Sequence, residues 1–194
     1  GPILESIQRN QSINPGVDVL VADDRFMERE ALSTDSELLR LYKELSVPAA
    51  RSDLARLILL QRYGGVYIDA AMETKHPIDQ LPGIADQLIL VRRDDRLEPG
   101  KDPQSAHVIN GIIGAEPGSP FITRTLDLVI ENLKTRKYDR VWYATGAHNL
   151  NCALAEGWDE TRVTFLYFSD LARDFFTYRR VAGRSEEHTS ELQS

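Results

Sequence analysis

Residues 49–72, AARSDLARLILLQRYGGVYIDAAM, decide how this 194-residue chain is read. Ala50, Leu54, Leu57 and Ile58 recur at helical spacing, and Gly64-Gly65 supplies a natural helix stop. VYIDAAM then reads as a strand. On the helix, Asp53 and Arg56 are three residues apart and share a face. On one continuous strand, Tyr67, Asp69 and Ala71 would take one face and Val66, Ile68 and Ala70 the other. The apolar set is expected to pack inward, which turns a phenol and a carboxylate toward the helix carrying Asp53 and Arg56. The glycine pair keeps the two elements close. Singly, a helical ion pair or a Gly-Gly turn signals little. Together they gather four ligand-type side chains into one short stretch.

Upstream, Ser46 is a plausible N-cap with Pro48 in the first turn of that helix. Residues 33–45 read as another helix, with Leu38, Leu39, Tyr42 and Leu45 as its apolar side. VDVLVADD (17–24) places Val17, Val19 and Val21 on one face and Leu20 and Ala22 on the other. That two-sided pattern predicts an interior strand covered by helices. Asp23-Asp24 at its end are either ligand groups or, the plainer reading, a loop or helix cap. Asn14-Pro15-Gly16 is a turn, and residues 2–10 read as a helix with Ile3, Leu4 and Ile7 on its packing face.

Downstream, strands are predicted at 87–92, 107–115 and 162–168, and helices at 121–134 and from about 145 to 154. Residues 93–105 form a polar loop. The alternation of strands and helices predicts an α/β sandwich with a largely parallel sheet, forming one domain over residues 1–183. Such folds usually open on a strand, whereas this sequence opens on a helix and on Gly1. A chain truncated at both ends is therefore expected. RSEEHTSELQS (184–194) resembles the translation of a sequencing-library adapter and is set apart from the fold.

The formal net charge of -7 disfavours a nucleic-acid partner, because neutralising phosphates requires a basic surface. One cysteine, Cys152, precludes an intramolecular disulfide and a cysteine-built metal cluster. No apolar run reaches the roughly 18 residues of a membrane span. A cytoplasmic location, peripheral to an inner membrane, is the expectation. His76, His107 and His148 lack ligand spacing, and Met27 and Met72 read as packing residues.

Ser52-Asp53-x-x-Arg56, then Tyr63-Gly64-Gly65-x-Tyr67-x-Asp69, resembles the sugar-binding region of DXD-containing glycosyltransferases. That group includes yeast-type initiating mannosyltransferases, bacterial capsule and lipopolysaccharide glycosyltransferases of polysaccharide biosynthesis and, distantly, clostridial glucosylating toxins. The sixteen-residue step from Asp53 to Asp69 also matches. Weaker matches lie in SINPGVDVLVADD, in the segment through Asn110, Gly114, Pro117, Gly118 and Pro120, and at Thr145-Gly146, where the family's Thr-Gly-Pro is replaced by Thr-Gly-Ala147.

The resemblance implies a GT-A (Rossmann-like) fold that binds a nucleotide sugar, a UDP- or GDP-hexose, and passes the hexose to a glycan or lipid-linked acceptor, with retention of configuration. Ser52, Asp53, Arg56, Tyr67 and Asn110 would bind the donor. Asp69 and Arg56 would serve catalysis, and Asp69 would contact a Mn²⁺ or Mg²⁺ ion that neutralises the leaving diphosphate. The second acid of the DXD motif is here Ala71, which cannot ligate. Glu73 falls on the same face if the strand continues and is then the candidate replacement ligand. The other readings are a degenerate relative that binds or scaffolds without turnover, an inactivating substitution, or an enzyme with a different charge-neutralising group.

Overall fold

The computed structural model describes residues 1–178. The 184–194 segment lies outside the described residues. In chain order the elements are α1 (Pro2–Ile13), α2 (Asp24–Phe26), which runs into a π-helical turn at Met27–Ala31, α3 (Ser36–Glu44), α4 (Pro48–Tyr63), β1 (Gly65–Ile68) and β2 (Met72–Thr74). Then come β3 (Leu88–Arg92), β4 (Val108–Ala115), α5 (Pro120–Thr135), α6 (Val141–Ala144), α7 (His148–Ala155), β5 (Thr164–Tyr167), α8 (Phe168–Asp174) and β6 (Phe176–Tyr178).

The central sheet has the order β1-β4-β3-β5. β4 runs antiparallel to both β1 and β3, and only β3 and β5 are parallel. The α/β class holds, but the expectation of a largely parallel sheet does not. β1 is followed by a turn and a short separate strand instead of a crossover helix, which lets it pair with β4 in the opposite sense.

Period-two alternation assigns the two faces of this sheet. Leu88 and Leu90 of β3 and Ile113 of β4 enter a core with Leu54, Leu57 and Ile58 of α4, Phe121, Ile122 and Val129 of α5, and Leu150 of α7. Ile89 and Val91 of β3 and Ile112 of β4 point the other way, into a smaller core with Met72, Leu81, Leu171, Phe175 and Phe176. Met27 and Met72 are both buried, as packing residues should be. Among the described residues, no helix is long and apolar enough to cross a membrane.

Three local expectations are corrected. Residues 17–22 form no strand: Val17, Val19, Leu20 and Val21 are exposed, Leu20 to 52%. Asp23 instead caps α2 by accepting from the Phe26 amide at 2.8 Å, and Asp24 accepts from the Tyr42 hydroxyl at 2.7 Å and from Arg51 at 3.1 Å. The cap reading was the right one. Helix α1 packs through Ser6 and Asn10 while Leu4 lies exposed. Its side chains bind the backbone of β2: Asn10 donates to the Met72 carbonyl at 2.8 Å and accepts from the Thr74 amide at 2.8 Å. Asn14 donates to the Asn10 carbonyl at 2.7 Å and accepts from the Ile78 amide at 2.6 Å. Finally, Val47 holds the N-cap position of α4 with no side-chain cap, so Ser46 does not serve as one.

Candidate functional site

The helix-turn-strand unit forms as its residues require. Gly64 closes α4 with φ +66°, and its amide donates to the Leu60 carbonyl at 2.9 Å. Gly65 follows at φ +89°. A Cβ on Gly64 would stand 2.5 Å from Pro117 Cδ, so only glycine fits there. The Gly118 amide donates to the Gln61 carbonyl at 2.7 Å, tying the β4–α5 turn to the end of α4. The chain thus reverses at once, and β1 pairs with β4 from Gly65↔Ala115 to Ile68↔Ile112. The Asp69 amide adds one further bond, to the Gly111 carbonyl at 2.9 Å.

Arg56 is the hub of the resulting cluster. Its guanidinium pairs with Asp53 Oδ1 at 3.0 Å and Asp69 Oδ1 at 3.4 Å. It also donates to the Ser52 carbonyl and hydroxyl, each at 3.2 Å, and to the Asn110 carbonyl. The guanidinium carbon lies 4.6 Å from the Tyr67 ring centroid, a cation–π contact. The Tyr67 hydroxyl donates to Asp69 Oδ1 at 2.9 Å and stands 3.4 Å from Ser52 Oγ.

Asp53 is held from both sides. Asn110 Nδ2 donates to Oδ1 at 2.8 Å, and Thr145 Oγ1 donates to Oδ2 at 3.1 Å. Burial pushes the Asp53 carboxyl above the usual carboxylate range, outweighing the opposing pull of Arg56. Burial likewise pushes the Tyr67 phenol well above its ordinary value, although Arg56 opposes it. Behind the cluster, Asp53, Arg56 and Thr145 are buried. In front, Ser52, Tyr67, Asn110 and Asp69 are only partly covered, Asp69 with a quarter of its side chain (25%) exposed.

The structure therefore brings together Ser52, Asp53, Arg56, Tyr67, Asp69 and Asn110, the last across a sequence separation of 57. Glu73 does not join them. The expected single strand ends at Ile68, residues 69–71 turn, and Glu73 sits on β2, where it accepts from Ser6 Oγ at 2.9 Å and pairs with Arg9 at 3.6 Å. Ala71 is buried at 1% exposure while Ala70 is exposed, which reverses the predicted facing of the two.

Two residues of the cluster were absent from the sequence-based set. Thr145 is one, and its signal was the Thr-Gly match. Gly111 is the other: a Cβ there would lie 3.1 Å from Asp69 Oδ2, so the glycine interruption in β4 leaves room for that carboxylate.

A DXD motif offers two carboxylates to one ion, which is held by one or two such groups together with substrate phosphates. Here Ala71 offers no oxygen, Glu73 is engaged by α1, and Asp69 Oδ1 already serves Tyr67 and Arg56. Among the described residues, no group of three or more His, Cys, Asp or Glu side chains is disposed to hold a metal ion. His148, for example, faces Cys152 Sγ at 3.3 Å and the Tyr143 ring at 5.0 Å. The residues present do not fit a protein-held Mn²⁺ or Mg²⁺.

Residues 3–88 match the family model described as the glycosyltransferase sugar-binding region containing the DXD motif. The resemblance read from residues 52–69 is borne out over this stretch, which includes every member of the cluster except Asn110, Gly111 and Thr145. The chain is similar in structure to the PaToxG glycosyltransferase, with a TM-score of 0.52 and 19% identity, over 82% of this chain and 64% of that one. The fold is therefore glycosyltransferase-like and consistent with GT-A, and the chain spans less than two thirds of that structure's length. No curated protein matches the sequence.

Proposed function

We propose that this chain is the donor-binding part of a glycosyltransferase that moves a hexose from a UDP- or GDP-sugar onto a glycan or lipid-linked acceptor, with retention, in the cytoplasm or at the inner face of a membrane. The observation that carries the reading is the Arg56 hub. A buried cation clamps two carboxylates from different elements and leaves oxygens and an amide at a partly open face.

Such an array suits a polyol. Sugar hydroxyls donate to carboxylate oxygens and accept from amide and guanidinium N–H groups, and the preset geometry reduces the ordering cost of binding. Asp53 at the floor of the cluster and Asn110 at its partly open face would take donor hydroxyls, while Ser52 and Tyr67 form the rim. With both carboxylates ionised the Arg56 cluster carries one net negative charge, so it recognises the neutral sugar better than the diphosphate. Arg56 is the group of the cluster proposed to face the bond that breaks, with Asp69 against its guanidinium. No residue is assigned as an inverting base.

A second reading is favoured by Ala71: a relative that binds the donor without turnover. Calorimetric titration with UDP-glucose and GDP-mannose tests the binding common to both. One of them should bind with a Kd on the order of 0.1 mM, within the range common for enzyme substrates, and Asp53→Asn should abolish the heat. Binding of neither overturns the proposal. Donor hydrolysis or transfer by the unaltered chain then separates the enzyme from the binding module.

A further inference from the structure

We infer that Asp69, the surviving acid of the motif, is a positioning residue for Arg56 and Tyr67, and that the donor enters this site without a protein-held divalent cation.

Three observations converge. First, one oxygen of Asp69 is already committed to protein partners. Its Oδ1 accepts from the Tyr67 hydroxyl at 2.9 Å and lies 3.4 Å from Arg56 Nη1, which locks the phenol and the guanidinium in one arrangement. A divalent cation at Oδ1 would compete with that guanidinium for the same oxygen and would approach a positive charge. Second, the position that should supply the next ligand is a methyl group, and it is buried at 1% exposure instead of facing an ion. Third, the nearest alternative acid in sequence lies away from the cluster, since the turn at 69–71 places Glu73 on β2 against Ser6 and Arg9. Loss of one ligand alone leaves a weak metal site. Here a ligand is missing, its substitute is engaged elsewhere and the remaining acid shares an internal cation with Asp53.

The same geometry gives Asp69 a task. Arg56 reaches Asp53 on its own helix without help. Its contact with the end of β1 runs through the Tyr67 ring and Asp69, so Asp69 adds an ionic tie between α4 and that end, beside the ties that Asn110 makes from β4. Gly111 preserves the space for that carboxylate.

The donor arm of the test rests on the binding reading above, and a donor-free arm keeps the two separable. In the donor-free arm, Mn²⁺ is titrated with the chain alone and free Mn²⁺ is followed by electron paramagnetic resonance. The signal should remain that of free ion; its loss at stoichiometric protein, restored in Asp69→Asn, overturns the inference whatever the donor does. In the donor arm, the affinity of whichever nucleotide sugar binds is measured in EDTA and in Mn²⁺, for the parent and for Asp69→Asn. The parent should change less than twofold between the two conditions. Asp69→Asn should weaken the nucleotide sugar by roughly tenfold in both, as expected for a charged hydrogen bond, and leave the free nucleoside diphosphate unchanged. A tenfold tightening by Mn²⁺ that Asp69→Asn erases overturns the inference, as does an equal loss for the nucleotide sugar and the free diphosphate. If no donor binds in any condition, the donor-binding reading fails, and the Mn²⁺ arm decides this one alone.

Discussion

Two of the buried polar networks among the described residues are built in opposite ways. Around Arg56, side chains chiefly bind side chains: two carboxylates, a guanidinium, a phenol, an amide and a hydroxyl. Along α1, side chains chiefly bind backbone: Asn10 and Asn14 meet carbonyls and amides of β2, of the 77–78 loop and of α1 itself. A network that ends on backbone has fixed partners and nothing left to offer a ligand. One made of ionisable side chains with a partly open front holds its groups at a cost in desolvation and presents them outward. Buried polarity alone does not mark a site, whereas buried polarity that terminates on movable groups does.

The sharpest way to break the comparison is Arg56→Ala. Removing the cation leaves Asp53 buried with its charge unbalanced, and the fold should lose about 3–5 kcal/mol in chemical denaturation. Loss of well under 1 kcal/mol would mean that the cluster is hydrated and loose. Asn10→Ala comes next. It strands the Met72 carbonyl and the Thr74 amide, so a loss of about 2–4 kcal/mol is expected, with donor affinity unchanged in the protein that remains folded. A fall in donor affinity at constant fold would join the two networks and dissolve the distinction.

The smallest effect has the most telling sign. The folded-state carboxyl of Asp53 is raised by burial. A raised carboxyl contributes stability that is full below the ordinary carboxylate range and is lost as pH rises through the folded value. Asp53→Asn has no such loss. Its stability relative to the parent should therefore increase as the pH is taken from about 4 to about 7, while donor binding disappears. A gain in stability with a loss of binding would identify Asp53 as held for function. A pH-independent difference would place Asp53 with the structural network.

How much of this was legible in the sequence depends on whether partners are local. Asp53, Arg56, Tyr67 and Asp69 came together as read because a helix, two glycines and a strand leave little freedom. LILVR (88–92) and VDVLVA (17–22) carry similar two-sided apolar patterns, yet only the first is a strand. A strand exists through its neighbours, and residues 88–92 have β4 and β5 on either side, whereas residues 17–22 pair with no strand among the described residues. The facing of Ala71 and Glu73 was misread for a related reason: alternation was counted through a turn that no residue in the DAA segment announces. The burial of α1 was misread because its packing side is made of Ser and Asn, which hydropathy periodicity does not detect. Thr145 was visible only as a dipeptide match, since its role depends on a bond spanning 92 residues.

That span has a consequence for how the site comes into being. The contacts from Arg56 to Asp53, Tyr67 and Asp69 lie within the sixteen-residue step from Asp53 to Asp69, although the strand that carries Tyr67 forms only by pairing with β4. Asn110 and Thr145 arrive only when separations of 57 and 92 residues have been closed, which slows that step. The two groups that hydrogen-bond the buried carboxylate are thus its most distant partners in sequence, one from β4 and one from the residue after α6.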